Sequence, residues 1–551
     1  MPRLSSIVAA AASVLVAVVG LHWGTYAAGG SDSSCYALMA DAFASGALQP
    51  TSQLAAQVPW PNAASTFTPG GFVPSESNPS ASAPVCAPGF SLLLAPLIAV
   101  GGLDAAFILT PIAGALLVWL TFVAGRHLAG PIAGAMAAVL MASSPALLYQ
   151  VVQPMNDVTT AALWMATFAG LIHRRWVLAG VFCGLALLVR PNLVPLALVA
   201  GLFVLGTGDR AAFAEGYGEP RRSAHRADAR RRGFGIRNVA QFVLATIPFG
   251  LLVLWLNNAL YGSPFRTGYG QLEHLFSLSA FSVNASRYFS WLVETHTPFP
   301  LLAFAAPFVV RHEKRGDVAL SIGLVLATCA IYFFYTPFDE WSYVRFLLPA
   351  IALMVLLASA VTVNAVTYVL RRSVPVRLEA DTTTGRAGIV TTGMAAVVAA
   401  VTAGLAIFCM RTADDRLAFK LKFLEQRYRS AGLVVRDRLP PNAVVLSVWD
   451  SGAVRFHGRK EALSWAGLDA AWLDRSLAWL SDHGRTPYIL VESWEEQAFR
   501  SRFGNDSDIG KLDWPPKYEI DRVVRIFDPG DRAKYDRGEN VTTEYLWPLR
   551  D

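Results

Sequence analysis

The apolar residues of this chain arrive in blocks of about 15–25, the length at which an α-helix crosses a hydrocarbon layer roughly 30 Å thick. Of its 551 residues, 54% are hydrophobic and only 16% are charged, far more apolar than a soluble protein of this size requires. Such a chain folds as a bundle of membrane-spanning helices, because in lipid each segment must satisfy its own backbone N–H and C=O groups. The net charge of +6 is then a topology signal rather than a nucleic-acid footprint, and no nucleic-acid partner is expected.

Two loops set the orientation. Residues 208–237 hold eight arginines against four acids, and "RRSVPVRLEADTTTGR" (371–386) is also basic. Both are expected in the cytoplasm, as are "HRR" (173–175) and "RHEKR" (311–315), because positive charge stays inside. Eleven spans satisfy this: 4–22, 104–125, 131–149, 157–172, 176–189, 192–207, 238–258, 298–310, 318–335, 345–370 and 387–410. The N-terminus is then cytoplasmic and the C-terminus outside. The order holds only if "FSLLLAPLIAV" (90–100) does not cross. At about 11 residues with an internal proline, it suits a re-entrant or interfacial helix. The N-terminal run is also compatible with a cleaved signal peptide, which leaves the sidedness unchanged.

Residues 1–410 thus form a membrane module, with a long first outer loop (23–103), the cytoplasmic basic loop (208–237) and a further outer loop at 259–297. Residues 411–551 turn polar and rich in Trp, Arg and Asp. There "NAVVLSV" (442–448), "PYILVES" (487–493) and "RVVRIFD" (522–528) read as buried strands, and "DAAWLDRSLAWLSDHG" as an amphipathic helix. The fold class is therefore a polytopic α-helical membrane protein with a C-terminal extracytoplasmic α/β domain. No dinucleotide fingerprint, P-loop or zinc spacing occurs. Of the five cysteines, Cys183, Cys329 and Cys409 lie in apolar runs and read as packing residues. Cys35 and Cys86 share the first outer loop, where oxidising conditions allow them to pair.

Charged residues at the ends of spans are costly to bury and are functional candidates by default. They gather on the outer side: Asp32 in "GGSDSSCYALMADAF", Asp157 in "QPMNDVTT", Arg190 in "LLVRPN", Arg345 in "DEWSYVRFLLP", and Arg266 with Tyr269 in "YGSPFRTGYG". Arginine binds phosphate bidentately and a carboxylate can act as general base, so two acids and three arginines facing one compartment suit a phosphorylated lipid. Each has a plainer alternative. Asp32 and Asp157 are good helix N-caps, and Arg190 and Arg345 can snorkel to lipid headgroups. Asp41, Asp339 and Glu340 read as surface acids. His457 with Arg455 and Arg459 reads as a solvated face, and "NAS" (284–286) fits a glycosylation sequon.

In order and sidedness these segments resemble the polytopic GT-C glycosyltransferases, in particular bacterial members of glycosyltransferase family 39 and their mannosyl and aminoarabinose transferase relatives. The resemblance rests on Asp32, Tyr36, Ala40 and Gly46 after the first span, on "APGFSLLLAPL" (87–97), on Asp157, and on the arginine-proline turns "LLVRPN" and "VRFLLP". The sequence departs from the family in having "SDSS" in place of an Asp-Glu pair and "APGF" in place of "PPG[YF]". Its segment 47–86 is also longer and richer in Ser and Pro. The resemblance implies a multi-pass protein of a bacterial inner membrane that moves a sugar from a polyprenyl-phosphate donor to an acceptor hydroxyl, with inversion. In that scheme Asp32 and Asp157 are catalytic, with Asp32 the general base. Arg190, Arg345 and Arg266 bind the donor phosphate, and Tyr36 and Tyr269 bind substrate. No cofactor or metal is implied, and the acceptor is left open between protein, lipid and glycan.

Two rival readings are a secondary transporter, which should show paired repeats with broken helices at the midplane, and a non-catalytic envelope assembly protein. Thiol-specific labelling from outside an intact cell should reach single cysteines introduced in 47–80 and 411–551 and should miss 208–237. Labelling of the arginine-rich loop from outside would overturn the orientation.

Overall fold

A computed structural model of the chain describes residues 2–215, 224–270, 275–373 and 382–547. Most of the basic stretches 208–237 and 371–386 therefore lies outside the described residues or has undescribed side chains. Two helices form the heart of the bundle. Asn156–Ile172 is buried along its whole length, and Leu348–Ser373 is buried on all sides from Leu348 to Val361. A helix apolar all round belongs inside a bundle. Pro2–His22, Val194–Glu215 and Ala224–Tyr261 lie at the periphery and expose Leu15, Leu202 and Leu251, the side chains that meet lipid in a membrane protein.

Among the described residues, six helices are long and apolar enough to cross a bilayer, or seven if one bent pair counts as a single span. That falls short of the eleven expected because several apolar runs are cut below the spanning length. Trp176–Val189 and Phe299–Val309 are short apolar helices. The run 131–149 is not one helix: Pro131–Ala142 and Pro145–Val151 meet at 56°. Ser144 causes the break, its hydroxyl capping Leu147 N–H at 3.4 Å ahead of Pro145. The same hydroxyl bonds His296 Nε2 at 2.7 Å. Residues 259–297 are not simply a loop, since Ala280–His296 is helical. Asn284 of the apparent sequon is buried in it, its amide donating to the carbonyls of Tyr332 at 3.2 Å and Tyr335 at 2.5 Å.

Residues 23–103, expected as the first outer loop, contain regular structure. Helix Gly30–Ala44 leads to a hairpin of β1 (Phe72–Pro74) and β2 (Ser82–Pro84), then to helix Pro88–Gly101. Cys35 and Cys86 are joined as a disulfide, which fastens the first helix to the start of the last.

The C-terminal region begins with helix Leu421–Arg438. It continues through β3 (Ala443–Leu446), β4 (Glu461–Leu463), β5 (Thr486–Glu492), β6 (Tyr518–Ile520), β7 (Val524–Phe527) and β8 (Glu544–Leu546). These form one mixed sheet in the order β4-β3-β5-β7-β6-β8. β4, β3 and β5 are parallel, with Val444 opposite Glu461 and Pro487, and β7 is antiparallel to β5 and β6. Alternation along β3 sends Ala443 and Val445 to one face of the sheet and Val444 and Leu446 to the other, as a period of two requires. The second face is completed by Leu54, Trp60 and Phe67 from the first outer loop. The Ser/Pro-rich segment is thus part of the α/β layer.

The two regions are locked together by polar contacts as well. Asp41 takes both guanidinium nitrogens of Arg459, at 2.5 and 3.0 Å. Arg455 donates to the carbonyl of Thr51 at 2.6 Å. Ala28 N–H donates to His457 Nε2 at 3.1 Å, and His457 is buried. The face carrying these three residues is therefore an interface rather than a solvated surface, and Asp41 is part of it. The disulfide closes a loop between cysteines 51 residues apart, which the chain-entropy model values at about 4 kcal/mol. Cys35→Ser with Cys86→Ser should lower the melting temperature of the detergent-solubilised protein by several degrees. An unchanged melting curve would show that the bond carries no stability.

Candidate functional site

Four charged side chains from four separate breaks in the bundle converge. Asp157 lies in the first turn of Asn156–Ile172, whose N-cap is Met155. Its carboxylate is 0% exposed and meets Arg190 Nη2 at 2.7 Å. Arg190 stands where Trp176–Val189 ends before Pro191, and the same nitrogen reaches Asn156 Oδ1 at 2.9 Å. Arg345 sits in the 3₁₀ turn Trp341–Leu347, with Nε 3.9 Å from the other oxygen of Asp157 and Nη2 2.8 Å from Asp32 Oδ2. Asp32 lies in the first turn of Gly30–Ala44 and its side chain is 48% exposed. Neither acid caps its helix: Gly29 and Met155 hold the cap positions.

The result is a chain of alternating charge, Asp32–Arg345–Asp157–Arg190, that runs from the solvent inward. The guanidinium carbons of Arg190 and Arg345 lie 5.2 and 5.3 Å from the centre of the Phe346 ring. Arg345 is also over the Tyr343 ring at 5.1 Å. The pull of a cation toward an aromatic face holds both arginines beside one ring.

A cavity of about 400 Å³ opens next to this chain, lined by Tyr36, Asn156, Arg190, Tyr269, Tyr332 and Phe346 among mostly apolar neighbours. Tyr36 is fixed edge-on against Phe90 at 5.1 Å. Gly89, in the "APGF" segment, lets helix Pro88–Gly101 approach Arg190: a Cβ there would fall 1.9 Å from the carbonyl oxygen of Leu188. Only glycine fits so close to a backbone.

Of the residues expected at the site, Asp32, Asp157, Arg190, Arg345, Tyr36 and Tyr269 are brought together. Arg266 is not. It pairs with Glu76 at 2.7 Å on the surface, both side chains about half exposed or more, so its grouping with the other arginines is corrected. The structure adds Asn156, Tyr332 and Phe346. Asn156 was adjacent to Asp157 in a polar pair opening an apolar run, which was a usable signal. Tyr332 and Phe346 are aromatics in apolar runs and gave none. Among the described residues, no group of three His, Cys, Asp or Glu side chains is placed to hold a metal ion.

No protein-family model matches the sequence, and no curated protein matches it either. Solved structures do match. ArnT from Cupriavidus metallidurans bound to undecaprenyl phosphate superposes with a TM-score of 0.54 at 14% identity, over 89% of this chain and 94% of that one. The same protein in its apo state gives 0.53 at 14% identity, over 90% and 94%. At this identity the likeness is one of fold, and the fold is GT-C.

The buried His457 offers a test of how the outer region is held. Burial and the charges of Arg429, Arg436 and Arg459 lower its pKa to about 3, and accepting the Ala28 N–H requires the neutral ring. An unfolded histidine takes a proton near 6.5. Between about pH 6.5 and 3 the unfolded chain therefore binds the extra proton, so stability is lost as the pH is lowered through that window. His457→Gln should flatten the acid limb of a stability-versus-pH curve there; an identical limb would assign the acid sensitivity elsewhere.

Proposed function

We propose that this protein transfers a sugar from a polyprenyl-phosphate carrier to an acceptor hydroxyl at the outer face of a bacterial inner membrane. The N-terminus is cytoplasmic, and residues 411–551 lie outside with the first outer loop. The observation that carries this reading is the Asp32–Arg345–Asp157–Arg190 chain beside a largely apolar cavity. Undecaprenyl phosphate bound to a protein of the same fold supports it.

The roles divide by exposure. Asp32 is the acid that solvent reaches, so it takes the proton of the acceptor hydroxyl as that oxygen attacks the anomeric carbon. The bond from the anomeric carbon to the phosphate oxygen breaks on the opposite side, which inverts the centre. Polyprenyl phosphate leaves with the electron pair. Arg190 and Arg345 stabilise its growing charge, in a setting where preorganised donors act most strongly. Asp157 is enclosed and cannot reach an acceptor; it positions the two arginines. Tyr36 and Tyr269 line the space where the sugar and first isoprene unit would sit.

Asp32→Asn keeps the size of the side chain and removes its basicity. It should lower turnover of a polyprenyl-phosphate sugar by about 10²-fold or more, with undecaprenyl phosphate binding no weaker than in the wild type. Asp157→Asn strips the arginines of their shared anion, so it should reduce stability and donor binding together. Wild-type turnover in Asp32→Asn would show that the base is misassigned. Full activity in both variants would remove the mechanism altogether.

A further inference from the structure

The sheet of the outer region contains a reversal that the transfer chemistry does not use. β3 lies between β4 and β5 and is parallel to both. The chain therefore leaves β3 toward one side to form β4, then crosses to the other side to form β5. In open parallel sheets such a switch opens a crevice beyond the carboxyl ends of the two strands, because their following loops diverge. The loop after β3 is "SVWDS" (447–451), and the residues after β5 are Ser493, Trp494 and Glu495.

Trp449 and Trp494 are 47% and 55% exposed, with ring centres 5.4 Å apart, whereas Trp465 and Trp514 of the same region are buried. Behind them sit three buried acids, Asp450, Glu492 and Glu495. Glu492 is satisfied: Arg427 Nε donates to its two oxygens at 3.1 and 3.0 Å, and Trp494 Nε1 donates to it at 2.8 Å. Asp450 is not. Its side chain is buried completely, and neither oxygen has a partner among the described residues, a costly condition that asks for a ligand. Burial and the neighbouring acids push the Asp450 carboxyl well above the usual range, and Glu495 up to about 7.

The loops after β3 and β5 are linked to the helix that bears Asp32. Glu425 and Tyr428, on the helix that carries Arg427, press against Gly29. A Cβ there would fall 2.3 Å from the Tyr428 ring and 2.5 Å from Glu425 Oε2. Gly29 is the N-cap of the helix bearing Asp32. Tyr149, edge-on to Trp341 at 5.0 Å, is within electrostatic reach of both Glu425 and Arg345.

We infer that the crevice beyond β3 and β5 holds a pyranose ring of the acceptor, so that the acceptor is a glycan; this rests on the transferase reading above. An indole presents a flat apolar face to the C–H face of a sugar, and Trp449 and Trp494 are the exposed indoles that supply it, with the unpartnered carboxyl of Asp450 buried behind them. Four acids around one arginine, Arg427, disfavour a phosphorylated headgroup, which keeps this site distinct from the donor cavity.

The test uses the full chain in lipid nanodiscs with malto-, manno- and galacto-hexaose as probes, read by saturation-transfer NMR. Undecaprenyl phosphate binding is measured in parallel. At least one hexaose should receive saturation on its ring protons. Trp449→Ala and Trp494→Ala should weaken that binding by about tenfold or more, as for truncation of an aromatic anchor, with undecaprenyl phosphate binding unchanged. Absence of binding to all three sugars, or equal binding by wild type and variants, overturns the inference. So does a synthetic polypeptide that binds through the same two tryptophans when no sugar does. Sugar binding without any binding of undecaprenyl phosphate upholds the crevice and overturns the donor assignment instead.

Discussion

One end of the bundle is organised by one desolvated carboxylate. Asp157 opens a helix that is buried along its whole length, and its own side chain has no solvent contact. A buried anion without a cation costs several kcal/mol, so the surrounding chain has to deliver positive charge. Arg190 comes from the point where a helix stops before a proline, and Arg345 from a 3₁₀ turn that precedes a helix buried on all sides through Val361. Both are irregular positions, because a regular helix would carry the side chain past the site. Arg345 in turn reaches out to Asp32, which ties the first outer loop to the membrane helices. The placement of three chain breaks and one loop thus follows from a single charge.

Much of this was legible because a bilayer demands uninterrupted apolar sequence, so each polar exception at the end of a run stands out. Asp32, Asp157, Arg190 and Arg345 were visible for that reason. Their pairing was not, since Asp32 and Arg345 are 313 residues apart and no local period links them. Arg266 looked equivalent to the other arginines by composition, and only the fold shows that Glu76 takes it. His457 was misread for a related reason. Flanked by arginines it resembles a solvated face, yet its partner is a backbone N–H at Ala28, which leaves no trace in the residue pattern. The break after Ala142 did have a sign, Ser144-Pro145 being a good helix start, but apolar continuity on both sides hid it.

The long Ser/Pro-rich segment, unexplained by pattern, is explained by packing. Its Leu54, Trp60 and Phe67 fill the same core as Val444, Leu446 and Ile489. One face of the sheet is therefore completed by residues that precede it by several hundred positions. The outer region depends on the first loop for its core, and the loop is in turn fastened at Cys35–Cys86. The sheet is thus held against the helix that bears Asp32 through Asp41–Arg459 on one side and the Cys35–Cys86 loop on the other.

The charge count at the site bears on how a donor would enter. Two carboxylates and two guanidiniums already balance, so a donor phosphate taken up as proposed adds an anion that either meets Nη1 of Arg190, which has no hydrogen-bond partner among the described residues and belongs to a cavity-lining side chain, or competes with an existing partner. Separating Asp157 from Arg190 would strand a fully enclosed carboxylate, the more expensive choice. Separating Asp32 from Arg345 costs less, because Asp32 is 48% exposed and water can replace the lost contact. The phosphate would then occupy the place of Asp32 on Arg345. The freed carboxylate, released from its contact at 2.8 Å with Arg345, is then open to a hydrogen bond from the acceptor hydroxyl. On the proposed chemistry the ion pair therefore keeps the base restrained until the donor is bound, so the acceptor hydroxyl meets an active carboxylate only when a sugar is there to receive it.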